Sequence, residues 1–92
     1  MLYLVVSYDI TEDRRRNRVA KLMENYGTRV QYSVFECLLQ EQSLLELQEQ
    51  LQAILDLETD SVRFYRLCVR CRAGIEIFGR GTTQSEEPFV IL

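Results

Sequence analysis

An apolar run rich in β-formers, LVVSYDIT at residues 4–11, ends on a single carboxylate, Asp9. At the carboxyl end of a strand and just before a helix, a rigid element can hold a functional side chain at the rim of a sheet. An aspartate in that place also serves as a turn residue or helix cap. What one aspartate can do is bounded. Mg²⁺ takes six oxygens and is usually held by one or two carboxylates plus waters, so a twofold dimer whose axis ran near this strand end would let two copies of Asp9 share a metal. The chain has no histidine, which excludes a histidine general base and a Ser-His-Asp triad. Cys37, Ser7 and Ser33 have no evident activator. For an enzyme, metal-assisted phosphodiester hydrolysis remains, in which the metal lowers the pKa of a bound water and offsets charge developing on the phosphate.

Arginines are the second chemical feature. Arg14, Arg15, Arg16 and Arg18 fall within five residues of a predicted helix. At about 100° per residue, Arg14 and Arg18 share a face with Lys21, while Arg16 flanks the apolar stripe and can reach a dimer seam or the Asp9 neighbourhood. Such a cluster is either a solvated helix face or a phosphate-binding one. The net charge is −3, but residues 1–30 carry +2, residues 31–60 carry −7 and residues 61–81 carry +4. Ten of the eleven basic residues are arginine, whose planar fork matches phosphate oxygens, so an acidic total does not exclude nucleic acid. Tyr8, Tyr32, Phe35 and Tyr65 read as core or interface ahead of base-stacking platforms, with sheet-face stacking on single-stranded RNA as the alternative. Cys68 and Cys71 have C-x2-C spacing, but a structural zinc site needs four ligands; incidental, reduced thiols are the expectation for all three cysteines.

The elements that must position these residues follow from hydrophobic period. With 92 residues the chain is read as one domain, its core about residues 1–80, small enough that a homodimer would enlarge what it can bury. Leu2–Tyr8 reads as a central strand covered on both faces. Thr11 is the expected N-cap of a helix of about 14 residues, with Val19, Leu22, Met23 and Tyr26 as its buried stripe and Gly27 as C′. Arg29–Leu39 is strand-like, and Ser43 with Glu46 reads as a capping box opening a second helix that buries Leu44, Leu47, Leu51, Ile54 and Leu55. Ser61–Leu67 and Gly74–Phe78 are the further strands expected, punctuated by Gly79 and Gly81. The order is β-α-β-β-α-β with the second strand long or interrupted, or β-α-β-α-β-β; counting Arg29–Leu39 as one strand gives a ferredoxin-like α/β sandwich with an antiparallel sheet. The apolar end, PFVIL at 88–92, is expected to fold back on its own sheet or to add to a partner's. No run approaches the length of a membrane span, and Met1-Leu2-Tyr3 begins on strand-like sequence without a basic n-region or a cleavage site, so a cytoplasmic location without membrane association is expected.

The strings YDIT (8–11), RRNRVAKLMENYGTRVQYSVFEC (15–37), SVRFYRLC (61–68) and EIFGRG (76–81) together closely resemble the CRISPR-associated protein 2 family. The resemblance covers almost the whole chain. It implies a ferredoxin-like βαββαβ homodimer in which a C-terminal strand, about residues 86–92, crosses to the partner subunit. It implies that Asp9 is the catalytic residue and the Mg²⁺ ligand, with Mn²⁺ as a substitute, paired with its twofold mate across a cleft. Tyr8, Arg16, Arg18, Arg29 and Phe35 match positions associated with activity; with Arg14 they are expected to contact substrate or support the cleft. The family implies action in spacer acquisition, as an endonuclease on single-stranded RNA or double-stranded DNA. The alternative it offers is a non-catalytic scaffold that binds a prespacer duplex and bridges CRISPR integrase dimers.

Overall fold

The structure is a computed structural model and describes residues 1–81. Its elements are β1 (Leu2–Asp9), α1 (Asp13–Glu24), β2 (Thr28–Gln31), β3 (Val34–Leu39), α2 (Glu41–Ile54), β4 (Ser61–Leu67) and α3 (Val69–Ala73). The strands form one sheet in the order β2-β3-β1-β4 with every adjacent pair antiparallel. This is the βαββαβ ferredoxin-like arrangement, with β1 central as its apolar run requires. The predicted strand over Arg29–Leu39 is interrupted at Tyr32 and Ser33, which turn the chain from β2 into β3.

One face of the sheet carries the core. Leu4, Val6 and Tyr8 of β1, Phe35, Cys37 and Leu39 of β3, Val19 and Met23 of α1, and Leu44, Leu47 and Leu51 of α2 form one buried cluster. Leu22, Tyr26, Ile54 and Leu55 pack against it partly buried, so both predicted helix stripes face inward. Burying a side chain of this kind contributes on the order of 1.5–3 kcal/mol. The opposite face is only partly covered, a correction to the expectation for β1: Val5 and Ser7 are half-buried and Asp9 is exposed. Tyr3 is buried on that face because the Arg72 guanidinium lies over its ring at 4.7 Å.

The local corrections have physical reasons. Glu12, not Thr11, caps α1: its carboxylate accepts from the backbone N–H of Arg14 and Arg15, an acceptor with longer reach than a threonine hydroxyl. Gln40 precedes α2 without a side-chain cap and Ser43 lies inside the helix. Gly27 is not needed for a positive φ; a Cβ there would sit 2.4 Å from both Cys37 Sγ and the Glu36 carbonyl oxygen, so the absence of a side chain lets α1 return close to β3. Gly74–Phe78 is not a strand. The chain instead turns through α3, and residues 75–78 line a cleft with Thr28, Val30 and Val34. Gly79 and Gly81 do adopt positive φ, 95° and 124°. The predicted C-terminal exchange strand lies outside the described residues. No helix among them is long and apolar enough to cross a membrane.

Candidate active site at the rim of the open sheet face

Strand alternation separates two side chains that are neighbours in sequence. Tyr8 points to the helices, is 4% exposed, stacks on Phe35 with ring centroids 6.2 Å apart and donates its hydroxyl to the Tyr32 carbonyl at 3.4 Å. Asp9 points to the open face at the last position of β1, opposite Ser61 of β4. It lines a cleft with Ser7, Tyr8, Ser61, Arg63 and Tyr65. Ser7 faces Arg63 across the ladder, and Arg63 donates to the Tyr65 hydroxyl at 3.4 Å, two residues along the same face. That contact holds the Arg63 guanidinium above its usual pKa; an arginine is a cation in any case, so Arg63 brings a positive charge to the cleft that Asp9 lines.

The loop leaving Asp9 is fixed by Arg16. Its Nη1 donates to the carbonyl oxygens of Ile10 at 3.1 Å and Thr11 at 3.4 Å, and its Nη2 pairs with Asp13. The Asp13 carboxylate first, with the Tyr32 hydroxyl, raises the Arg16 pKa. Arg16 therefore braces the Asp9 neighbourhood rather than presenting itself to solvent. Arg15, one of the α1 arginine cluster but not among the predicted site residues, forks onto Asp60: Nε to Oδ2 at 2.8 Å and Nη2 to Oδ1 at 3.2 Å. The Asp60 side chain is fully buried and also accepts from the Asp56 backbone N–H. This pair ties α1 to the loop before β4, and so holds Ser61 and Arg63 against β1.

The other predicted site residues fall into two groups. Arg14 and Arg18 are exposed on the outer face of α1. Arg29 lies over Phe35 at 5.3 Å and over Tyr32 at 5.9 Å, the distance of a cation–π contact. Phe35 is completely buried and cannot touch a nucleic acid from the core; Tyr8 borders the Asp9 cleft with its ring stacked on Phe35. Ser61 and Arg63 were missed. Their signal was the two-residue alternation Ser61, Arg63, Tyr65 in SVRFYRL, but only the pairing of β4 with β1 places that face beside Asp9.

No group of three or more His, Cys, Asp or Glu side chains comes together among the described residues. One copy therefore offers a single carboxylate flanked by hydroxyls. That donor set is made of hard oxygens, and it suits a cation such as Mg²⁺ that keeps several waters and takes one or two carboxylates; it does not suit a softer metal that needs a closed cage of thiolates or imidazoles.

A ferredoxin-like sandwich with a lone, exposed carboxylate at the carboxyl end of its central strand defines the class of molecule. The family described as CRISPR associated protein Cas2 matches residues 1–75, and this chain belongs to it. The chain is 48% identical over 79 residues to a CRISPR-associated endoribonuclease Cas2 of Synechocystis sp., covering 86% of each. The crystal structure of Streptococcus pyogenes Cas2 at pH 6.5 superposes with a TM-score of 0.74 at 36% identity, over 84% of this chain and 99% of that one. A chain of a partial Cas6-RT-Cas1–Cas2 complex gives a TM-score of 0.81 at 25% identity, over 99% of this chain and all of that one.

Proposed function

We propose that the protein is a Mg²⁺-dependent endonuclease of CRISPR spacer acquisition, acting on RNA or DNA phosphodiesters at a site completed when two copies bring their Asp9 side chains together. The observation that carries this reading is the exposure of Asp9 on the open face, with Arg63 in the same cleft. Relatives are named endoribonucleases and endonucleases, and the half-open sheet with Tyr65 and Val30 exposed offers a second copy an apolar surface to cover.

In this reading Asp9 supplies carboxylate oxygens to the cation. The cation, when bound, lowers the pKa of a coordinated water and offsets charge on the phosphate. Arg63, in the same cleft and hydrogen-bonded to the Tyr65 hydroxyl, donates to the phosphate oxygens on which negative charge develops. Arg16 keeps Ile10 and Thr11, and so the end of β1, from shifting. Arg14 and Arg18 attract the flanking polyanion without reading its bases.

A second reading is favoured by the likeness to the chain found with Cas1 and by the exposed arginine face of α1. There the protein is a scaffold that holds a DNA duplex and joins the Cas1 integrase, and Asp9 is not required. The deciding experiment is cleavage of labelled single-stranded RNA and duplex DNA by wild type and Asp9→Asn, with Mg²⁺ and with EDTA, alongside duplex binding. The nuclease reading expects cleavage to vanish in both the mutant and EDTA while the fold and duplex binding persist. Cleavage surviving either treatment overturns it; duplex binding without cleavage by wild type selects the scaffold.

A further inference from the structure

The structure makes a pair of Cys68 and Cys71, for which the sequence suggested incidental thiols. Cys68 ends the extended chain leaving β4 and is the N-cap residue of α3. Cys71 lies one turn on, and the two Sγ atoms are 3.3 Å apart. Both residues are exposed, whereas Cys37 is buried in the core. The backbone N–H of Cys71 donates to Cys68 Sγ at 3.3 Å.

The two sulfurs are in contact and lie one helical turn apart in sequence; a disulfide bond would bring them to about 2.05 Å. The pair supplies two of the four ligands a structural zinc would need, and no third His, Cys, Asp or Glu joins them among the described residues.

We propose that Cys68 and Cys71 are a redox-active dithiol, oxidised reversibly to an intrachain disulfide by a low-molecular-weight disulfide. This does not depend on the nuclease reading. The Cys68 thiolate attacks one sulfur of the small disulfide, forming a mixed disulfide and releasing one small thiolate, which takes up a proton. Cys71 then loses its proton and its sulfur attacks Cys68 Sγ, expelling the second small thiol. The protein gives up two electrons and two protons, and the small disulfide becomes two thiols. The two roles are unequal because the hydrogen bonds from Cys71 lower the Cys68 pKa, while the neighbouring Cys68 sulfur raises that of Cys71. The lower-pKa thiol presents more thiolate at neutral pH and is the attacking partner. Burial pushes Cys37 up to about 11, which makes it an internal control. A closed disulfide fastens the turn that sets Arg72 over Tyr3.

The test incubates reduced protein with excess oxidised glutathione at pH 7, quenches with acid, alkylates under denaturing conditions and reads intact and peptide masses. Wild type and Cys37→Ser are expected to lose two hydrogens, map the cross-link to Cys68 and Cys71, and return to the starting mass with dithiothreitol. Cys71→Ser should stop at a Cys68 glutathione adduct. Cys68→Ser should form adducts about tenfold more slowly. Because both residues are exposed, circular dichroism should show the Cys68 and Cys71 variants folded, and metal analysis of wild type should find no bound zinc. Persistent glutathione adducts on wild type, cross-links between copies, equal reactivity of Cys37, or stoichiometric zinc shielding the thiols would each overturn the proposal.

Discussion

The Arg16 guanidinium donates to the carbonyl oxygen of Ile10 at 3.1 Å, so the residue after the strand-end carboxylate is pinned by the first turn of the helix that follows it. Lysine keeps the charge but, as a point charge without the planar fork, cannot reproduce the spread of Nη1 onto Ile10 and Thr11 and Nη2 onto Asp13. Arg16→Lys is expected to fold and to retain duplex binding while losing up to about 10²-fold in the rate of cleavage, the scale of a small displacement near the reacting groups. Single-turnover kinetics separates this from a binding loss. An unchanged cleavage rate would show that the brace is not needed.

The Arg15 fork on Asp60 makes an acid-dependent prediction. Hydrogen bonding and charge from Arg15 lower the Asp60 pKa, aided by the Asp56 backbone N–H. A depressed carboxylate pKa contributes stability that is present above the unfolded value, about 3.9, and is lost as pH falls through the folded value. Asp60→Asn should therefore lower Tm at pH 7, and the gap to wild type should narrow as pH falls below about 4. Thermal unfolding of both proteins across that range checks it.

The parts of this molecule legible in the sequence are those written in a local period. The apolar run of β1 and the leucines of α2 place the core without reference to anything distant. Asp9 was also visible, because a carboxylate ending such a run is conspicuous. Its companions were not: Arg63 reaches the cleft only through the antiparallel register of β4 on β1, which no local pattern encodes. Asp60 looked like one more acid in an acidic stretch, and its burial depends on an arginine 45 residues away. At Gly74–Phe78 the alternation of Ile75 and Ile77 suggested a strand. The described chain lays that segment beside β2 and β3 instead, where Ile75 is half-buried while Ile77 and Phe78 stay exposed.

Gly27 yields a packing prediction. A methyl group there would meet Cys37 Sγ and the Glu36 carbonyl oxygen at the same 2.4 Å. Trimming the sulfur would relieve only half of the clash, since the carbonyl belongs to the β3 ladder. Gly27→Ala is expected to cost about 1–3 kcal/mol, as overpacking does, and Cys37→Ala in the same chain should fail to restore stability. Urea unfolding of the single and double variants measures both values. Full rescue by Cys37→Ala would place the constraint on the side chain alone.

The outer face of α1 separates charge that binds from charge that builds. Arg14 and Arg18 are exposed one turn apart, whereas Arg15 between them is committed to buried Asp60. If the exposed pair contacts phosphates, Arg14→Ala and Arg18→Ala should each weaken RNA and DNA binding without regard to sequence and reduce the slope of log K against log salt by about 1. Alanine preserves helix propensity, so thermal unfolding should barely move. Arg15→Ala should behave in the opposite way, lowering Tm by stranding the Asp60 carboxylate while leaving the salt slope as it was. Salt titrations of the three variants beside their melting curves decide the matter: a slope lost with Arg15 and kept without Arg14 or Arg18 would move the phosphate contacts off this face.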